Sequence, residues 1–161
     1  MAASLSLRVY TGAAATESAA VTGIDLISAD NATNSLANRQ ANPITVGTNS
    51  YEKWIKLKVD TAPANEVKNF KIWGDGAVMT STSLYFTAGY VTYAQGTNAA
   101  STIANANFTS YTAGNKATWD STAYSTTNAT TKFVVFQLQV GADAGPGNWT
   151  QETISYSYDE T

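Results

Sequence analysis

Trp54, Lys56 and Lys58 in "SYEKWIKLKVD" (50–60), with Lys71 and Trp73 in "VKNFKIWG" (67–74), have the types and spacing best suited to recognition chemistry. An indole face stacks on apolar groups or sugar rings, and an ammonium beside it attracts carboxylates, carbonyls or another ring. An extended backbone sends Ile55, Leu57 and Val59 to one face and Trp54, Lys56 and Lys58 to the other. Phe70 and Ile72 likewise oppose Lys71 and Trp73. If the two stretches pair as a hairpin across "TAPANE", Trp54, Lys56, Lys58, Lys71 and Trp73 share one outward face. Three readings fit such a face. It is a solvated surface whose lysines discourage edge pairing, a protein interface anchored on two indoles, or a platform for a sugar ring.

Catalytic chemistry has fewer resources. The 161 residues include no Cys and no His, which excludes thiolate nucleophiles, His-activated serines, disulfides and the usual ligands of zinc, copper and haem. Among the carboxylates, Asp75 in "WGDGA", Asp120, Asp143 in "GADAGPG" and the closing "YDET" are the candidates for a cation site or an acid pair. None has calcium-loop spacing, and turn chemistry accounts for them. The expectation is therefore no catalytic residue, no metal and no cofactor. Sequons at Asn31, Asn107, Asn128 and Asn148 match the frequency that chance produces in so Thr-rich a chain.

The global balance limits partners too. A net charge of −3 argues against nucleic acid bound through a general positive field. No apolar run is long enough for a membrane helix. Met1 leads almost directly into an alternating segment, "SLSLRVY", without a leader pattern, which predicts folding in a cytoplasm.

The elements that must position these residues are strands. Charged residues make up 13% of the chain, about half the usual share, while Thr, Ser and Tyr are plentiful, as suits sheet surfaces. Alternation predicts strands around 5–10, 20–28, 50–60, 67–74 and 83–93, the last with Gly89 as a bulge. In the closing stretch "KFVVFQLQVGADAGPGNWTQETISYSYDET", Val134, Phe136, Leu138 and Val140 make an apolar face, which predicts a central strand. Ile154, Tyr156 and Tyr158 then mark a final strand that pairs with it. No window has a helical period with a cap. Residues 29–50 read as irregular, and Ile154 joins the predicted core of Ile55, Leu57, Val59, Phe70, Ile72 and the 134–140 face. The fold class is all-β, a single antiparallel sandwich over 1–161, Ig-like or jelly-roll-like.

Residues 94–131 differ from the rest. They are nearly uncharged, and Phe108, Tyr111 and Trp119 stand out as spaced aromatics among small residues. Such a segment is either a long arm that seats its aromatics on a neighbouring molecule or a disguise for one or two weak strands.

The stretches "YEKWIKLKVDTAPANEVKNFKIWGDG" and "FVVFQLQVGADAGPGNWTQETISYSYDET" resemble small β-sandwich virion structural proteins of tailed bacteriophages. That resemblance covers about a third of the chain. It implies a non-enzymatic capsid decoration (cement) protein, or a tail-associated one, that binds major capsid or tail subunits. It further implies a homo-oligomer, a trimer foremost, made in the host cytoplasm and exposed on the particle surface. A carbohydrate-binding sandwich using Trp54, Trp73 or Trp119 is the alternative.

Overall fold

The computed structural model describes residues 2–77, 80–145 and 152–161, so the sequon at Asn148 and most of the Gly-Pro-Gly loop lie outside the described residues. Nine strands are present among them: β1 (Ser4–Thr11), β2 (Thr16–Glu17), β3 (Lys53–Thr61), β4 (Val67–Trp73), β5 (Thr82–Tyr90), β6 (Ala106–Asn107), β7 (Ala117–Asp120), β8 (Phe133–Val140) and β9 (Ser155–Glu160). They form two antiparallel sheets, ordered β2-β1-β3-β8-β5-β6 and β7-β4-β9. The two sheets pack face to face as an all-β sandwich.

Phe136 sits at the centre of the core. It is fully buried, 5.0 Å from Phe108 and 5.9 Å from Phe86 between ring centroids. Val134, Leu138 and Val140 share its face of β8, and Ile55, Leu57 and Val59 continue the core on β3. Phe70 and Ile72 meet them from β4, while Ile154 is only half-buried at the margin. Placing β8 between β3 and β5 satisfies its backbone groups on both edges, as so apolar a strand requires. Gly89, at φ +78°, takes the bulge that shifts the β5–β8 register between Ala88 and Tyr90.

Several pairings differ from expectation. β3 and β4 form no hairpin, because "TAPANE" arches from one sheet to the other and their apolar faces meet across the core. β9 pairs with β4, not with β8, for the same reason. Alternation says which side chains turn inward, and a neighbour beside and a neighbour opposite satisfy it equally well. The strand expected at 20–28 reduces to one bridge, Val21 to Leu7. Within the stretch read as irregular lies a short helix, α1 (Leu36–Ala41), whose Ser35 hydroxyl accepts from the Asn38 N–H. Six residues show no amphipathic period, and the Arg39–Asp25 ion pair at 2.8 Å holds the helix in place.

The 94–131 segment belongs to the sandwich and is not a projecting arm. It adds β6 to one sheet and β7 to the other, with a 3₁₀ turn (Phe108–Ser110) between them that delivers Phe108 to the core. Its earlier part, with Tyr93, Ile103 and Ala104, covers a second apolar cluster of Trp54, Phe133 and Val135 on the outer side of the larger sheet. Gln137, fully buried in β8, fastens this cover. Its amide donates to the Ala99 carbonyl at 2.7 Å and the Ser50 carbonyl at 3.1 Å, and its oxygen accepts from Ser101 N–H at 2.8 Å. Gly96 permits the close approach, since a Cβ there would stand 2.6 Å from the Glu52 carbonyl oxygen.

Phe136→Ala should lose about 3–5 kcal/mol of unfolding free energy in urea titration, because the facing Phe86 and Phe108 rings cannot close the space. A loss below about 1 kcal/mol would contradict the central position assigned to this ring.

Candidate functional site

The outward face of the smaller sheet keeps part of the recognition surface expected from sequence. Trp73 and Lys71 project there from β4, flanked by Thr118 of β7 and by Ser155 and Ser157 of β9. Lys71 donates to the Thr118 hydroxyl at 2.8 Å, and the Lys116 ammonium lies 4.1 Å from the Trp73 ring centroid. Lys71 and Trp73 are half-buried, so the face is firm yet reachable. Lys116 was not anticipated from sequence; its position two residues before Thr118, at the same outward parity, was the available signal.

Trp54, Lys56 and Lys58 are not on this face. They belong to the outer side of the other sheet, on the far side of the molecule. Trp54 is 0% exposed beneath Tyr93 and Tyr90, with Phe133 5.4 Å away, so it is not an outward anchor in the single chain. Its Nε1 has no hydrogen-bond partner among the described residues, which costs about 1–3 kcal/mol that the surrounding rings must offset. Lys56 lies over the Phe133 ring at 4.1 Å, and Lys58 pairs with Glu17 at 2.8 Å.

The aromatics expected on a docking arm are also core groups. Phe108 is fully buried, Tyr111 is half-buried and edge-on to Phe86 at 5.0 Å, and Trp119 is 1% exposed. Trp119 Nε1–H donates to the Lys132 carbonyl at 2.8 Å. A three-stranded sheet cannot cover a six-stranded one, and these rings fill the difference.

The carboxylates are tied to their surroundings. Asp120 accepts from Tyr124 O–H at 2.7 Å, Lys132 N–H at 2.8 Å and Thr122 N–H at 2.9 Å. Burial pushes its pKa up, but these donors outweigh it and hold the carboxyl below its ordinary range. Asp75, which accepts from the Thr153 and Ala77 N–H groups, is exposed and also held low, chiefly through Thr153. Glu152 beside it accepts from Gly76 N–H at 3.0 Å, and burial raises its pKa, with Asp75 adding to the rise. Asp143 is exposed in a turn. Among the described residues no group of three or more acidic side chains converges as a metal site would require.

A groove of about 1240 Å³ opens between the sheets on the β9 side. Leu7, Ile55 and Leu84 line its floor, Ile154 and Tyr156 one wall, and Ile24 and Ile44 the other. The larger sheet extends beyond β9, and this uncovered strip is the result.

Lys53 is the most strongly perturbed cation. It is 1% exposed, and its ammonium donates to the Ala29 carbonyl at 2.8 Å and the Asn31 carbonyl at 2.7 Å. Burial lowers its pKa to about 8, against the pull of Asp30 and Asp25. With the unfolded value near 10.5, the unfolded chain binds more protons between those limits, so stability should rise with pH from about 8. Tyr10 and Tyr124, raised chiefly by burial, reverse the trend above pH ~10, where unfolded tyrosines ionise. Urea midpoints between pH 7 and 10 should show a gain on the order of 2 kcal/mol that Lys53→Met abolishes. An equal slope in the variant would assign the effect elsewhere.

The chain matches no family model, and no curated protein or solved structure is significantly similar to it.

Proposed function

We propose that this chain is a non-enzymatic structural protein that works by docking on other protein subunits in a repeated assembly, as a capsid decoration protein does. The observation that carries this reading is the outward face of the smaller sheet, where Trp73, Lys71, Lys116 and Thr118 lie together and contact one another. Aromatic and long basic side chains on such a surface are typical anchors of protein interfaces. The buried polar groups favour the same reading. Lys53, Asp120 and Gln137 are each engaged by backbone partners, which suits a rigid scaffold. The virion setting is supported by the resemblance of residues 51–76 and 133–161 to phage sandwich proteins, and with it go the capsid or tail partner and the surface location.

Carbohydrate binding is the second reading, favoured by the half-exposed Trp73 indole beside the Ser155 and Thr118 hydroxyls. Lys116 already occupies one face of that ring, so a sugar must displace it or approach elsewhere.

Trp73→Ala should weaken co-sedimentation with particles that lack this protein by about 2 kcal/mol, roughly 30-fold, with little change in monomer stability. Trp54→Ala should instead destabilise the monomer by about 3–5 kcal/mol. Particle binding unchanged by Trp73→Ala, together with retention of the parent on a glycan array, would overturn the protein-docking reading in favour of the sugar-binding one.

A further inference from the structure

The sheet edges of this protein are treated unequally. At one margin of the larger sheet, β2 is two residues long, and segment 16–21 covers β1 through Ser18 N–H to the Val9 carbonyl and Val21 N–H to the Leu7 carbonyl. The opposite margin is another two-residue strand, β6. In the smaller sheet, β7 is four residues long and follows Lys116. Short strands and lysines are the usual protection against edge-to-edge association. β9, "SYSYDE", has neither. It is six residues long, pairs with β4 on one side only among the described residues, and contains no Lys and no Pro. The irregularity in its pairing lies opposite, where Asn69 of β4 takes φ +56°.

We infer that β9 pairs antiparallel with β9 of a second copy of this chain about a two-fold axis through Ser157, joining two three-stranded sheets into one of six. The charges permit this partner and this register, and the tyrosines favour it over one centred on Tyr158, which would set Tyr156 opposite Glu160. With Ser157 opposite its own mate, Asp159 faces Ser155, Glu160 faces Ile154, and Tyr156 faces Tyr158, so no carboxylate meets another. Asp159 gains a hydroxyl to accept from. Centring the pair on Tyr156 would oppose Glu160 and Glu152, and like charges directly opposite are destabilising. The inward tyrosines give the same answer. Tyr158 packs on Phe70 at 5.9 Å, but Tyr156 remains 40% exposed on the groove wall, where a partner tyrosine would cover it.

A six-residue edge buries less than the roughly 800 Å² per partner of a stable interface, so the pair is weak in dilute solution and fills when copies are held close together. The inference names one partner within the assembly reading above and rests on that reading only for its setting.

The cysteine-free chain makes the register measurable. Directly opposed antiparallel residues have Cα atoms about 4.5–5.5 Å apart, within the disulfide range of about 4.4–6.8 Å. Residues two places off the axis lie ~13 Å from their own mates. Ser157→Cys should therefore form a covalent dimer under mild oxidation at least about tenfold faster than Ser155→Cys or Asp159→Cys alone. Mixing the Ser155→Cys and Asp159→Cys chains should restore cross-linking, as heterodimers. Circular dichroism checks that each variant folds. Equal rates at all three positions, or no cross-linking at 157 in the folded chain, would overturn the pairing. Fastest cross-linking at 155 or 159 alone would overturn the register. Particle binding retained despite either failure would leave the docking reading of Trp73 standing.

Discussion

Two-sided burial of β8 is the constraint on which the other elements depend. From Phe133 to Leu138 every residue is buried, so the strand needs apolar cover above and below as well as a strand on each edge. β3 and β5 supply the edges. The smaller sheet covers one face, bringing Phe70 and Ile72, and the segment after β5 covers the other, bringing Tyr93 and Ile103. Gln137 is the single polar side chain in that stretch, and its hydrogen bonds to the backbone at Thr97, Ala99 and Ser101 lock the second cover in place. Leaving an amide unmatched at that depth would cost about 1–3 kcal/mol, so cover and strand specify one another.

Much of this was legible in the sequence. Ile55, Leu57, Val59, Phe70, Ile72 and the Val134–Val140 face were all assigned inward by alternation, and all are buried. That signal is strong because a one-residue slip would turn the whole set to solvent. Which strands lie side by side was not legible, since β3 and β4 satisfy the same pattern from opposite sheets. The two tryptophans show the limit most clearly. Trp54 and Trp73 both alternate with apolar residues and neighbour lysines, yet one is fully buried and the other stays half-exposed. The difference is made by a cover some forty residues downstream, whose sequence has no period to read. Alternation left open whether Phe108, Tyr111 and Trp119 belong to weak strands or to an arm, and the structure places them in or beside the short strands β6 and β7. Isolated rings in a polar segment look like reach towards a partner, and here they fill a core that three facing strands cannot.

Two buried charged groups serve structural ends in the fold. The Asp120 carboxylate joins β7 to the start of β8 by accepting from Lys132 N–H, and Trp119 reinforces the same junction through the Lys132 carbonyl. Lys53 holds the 29–31 loop against the end of β3. In both cases a charged group sits where a hydrogen-bonded fixture is required.

The unequal width of the two sheets then links core to surface. Six strands facing three leave apolar area uncovered; Phe108 fills part of it, and the rest opens as the groove lined by Trp119, Ile154 and Tyr156. The side of the sandwich that the chain closes with its own rings is also the side with β7, the shortest strand of the smaller sheet, which follows Lys116. Where it is open, the longest unprotected edge and a half-uncovered tyrosine coincide. A single chain could have closed that side too, at the cost of one more strand. Leaving it open makes the second sheet extensible, and extension about a two-fold axis would carry Trp73 and Lys71 of both copies onto one continuous outward face. Self-pairing and docking would then reinforce each other, because each copy held on a common surface raises the effective concentration of the next.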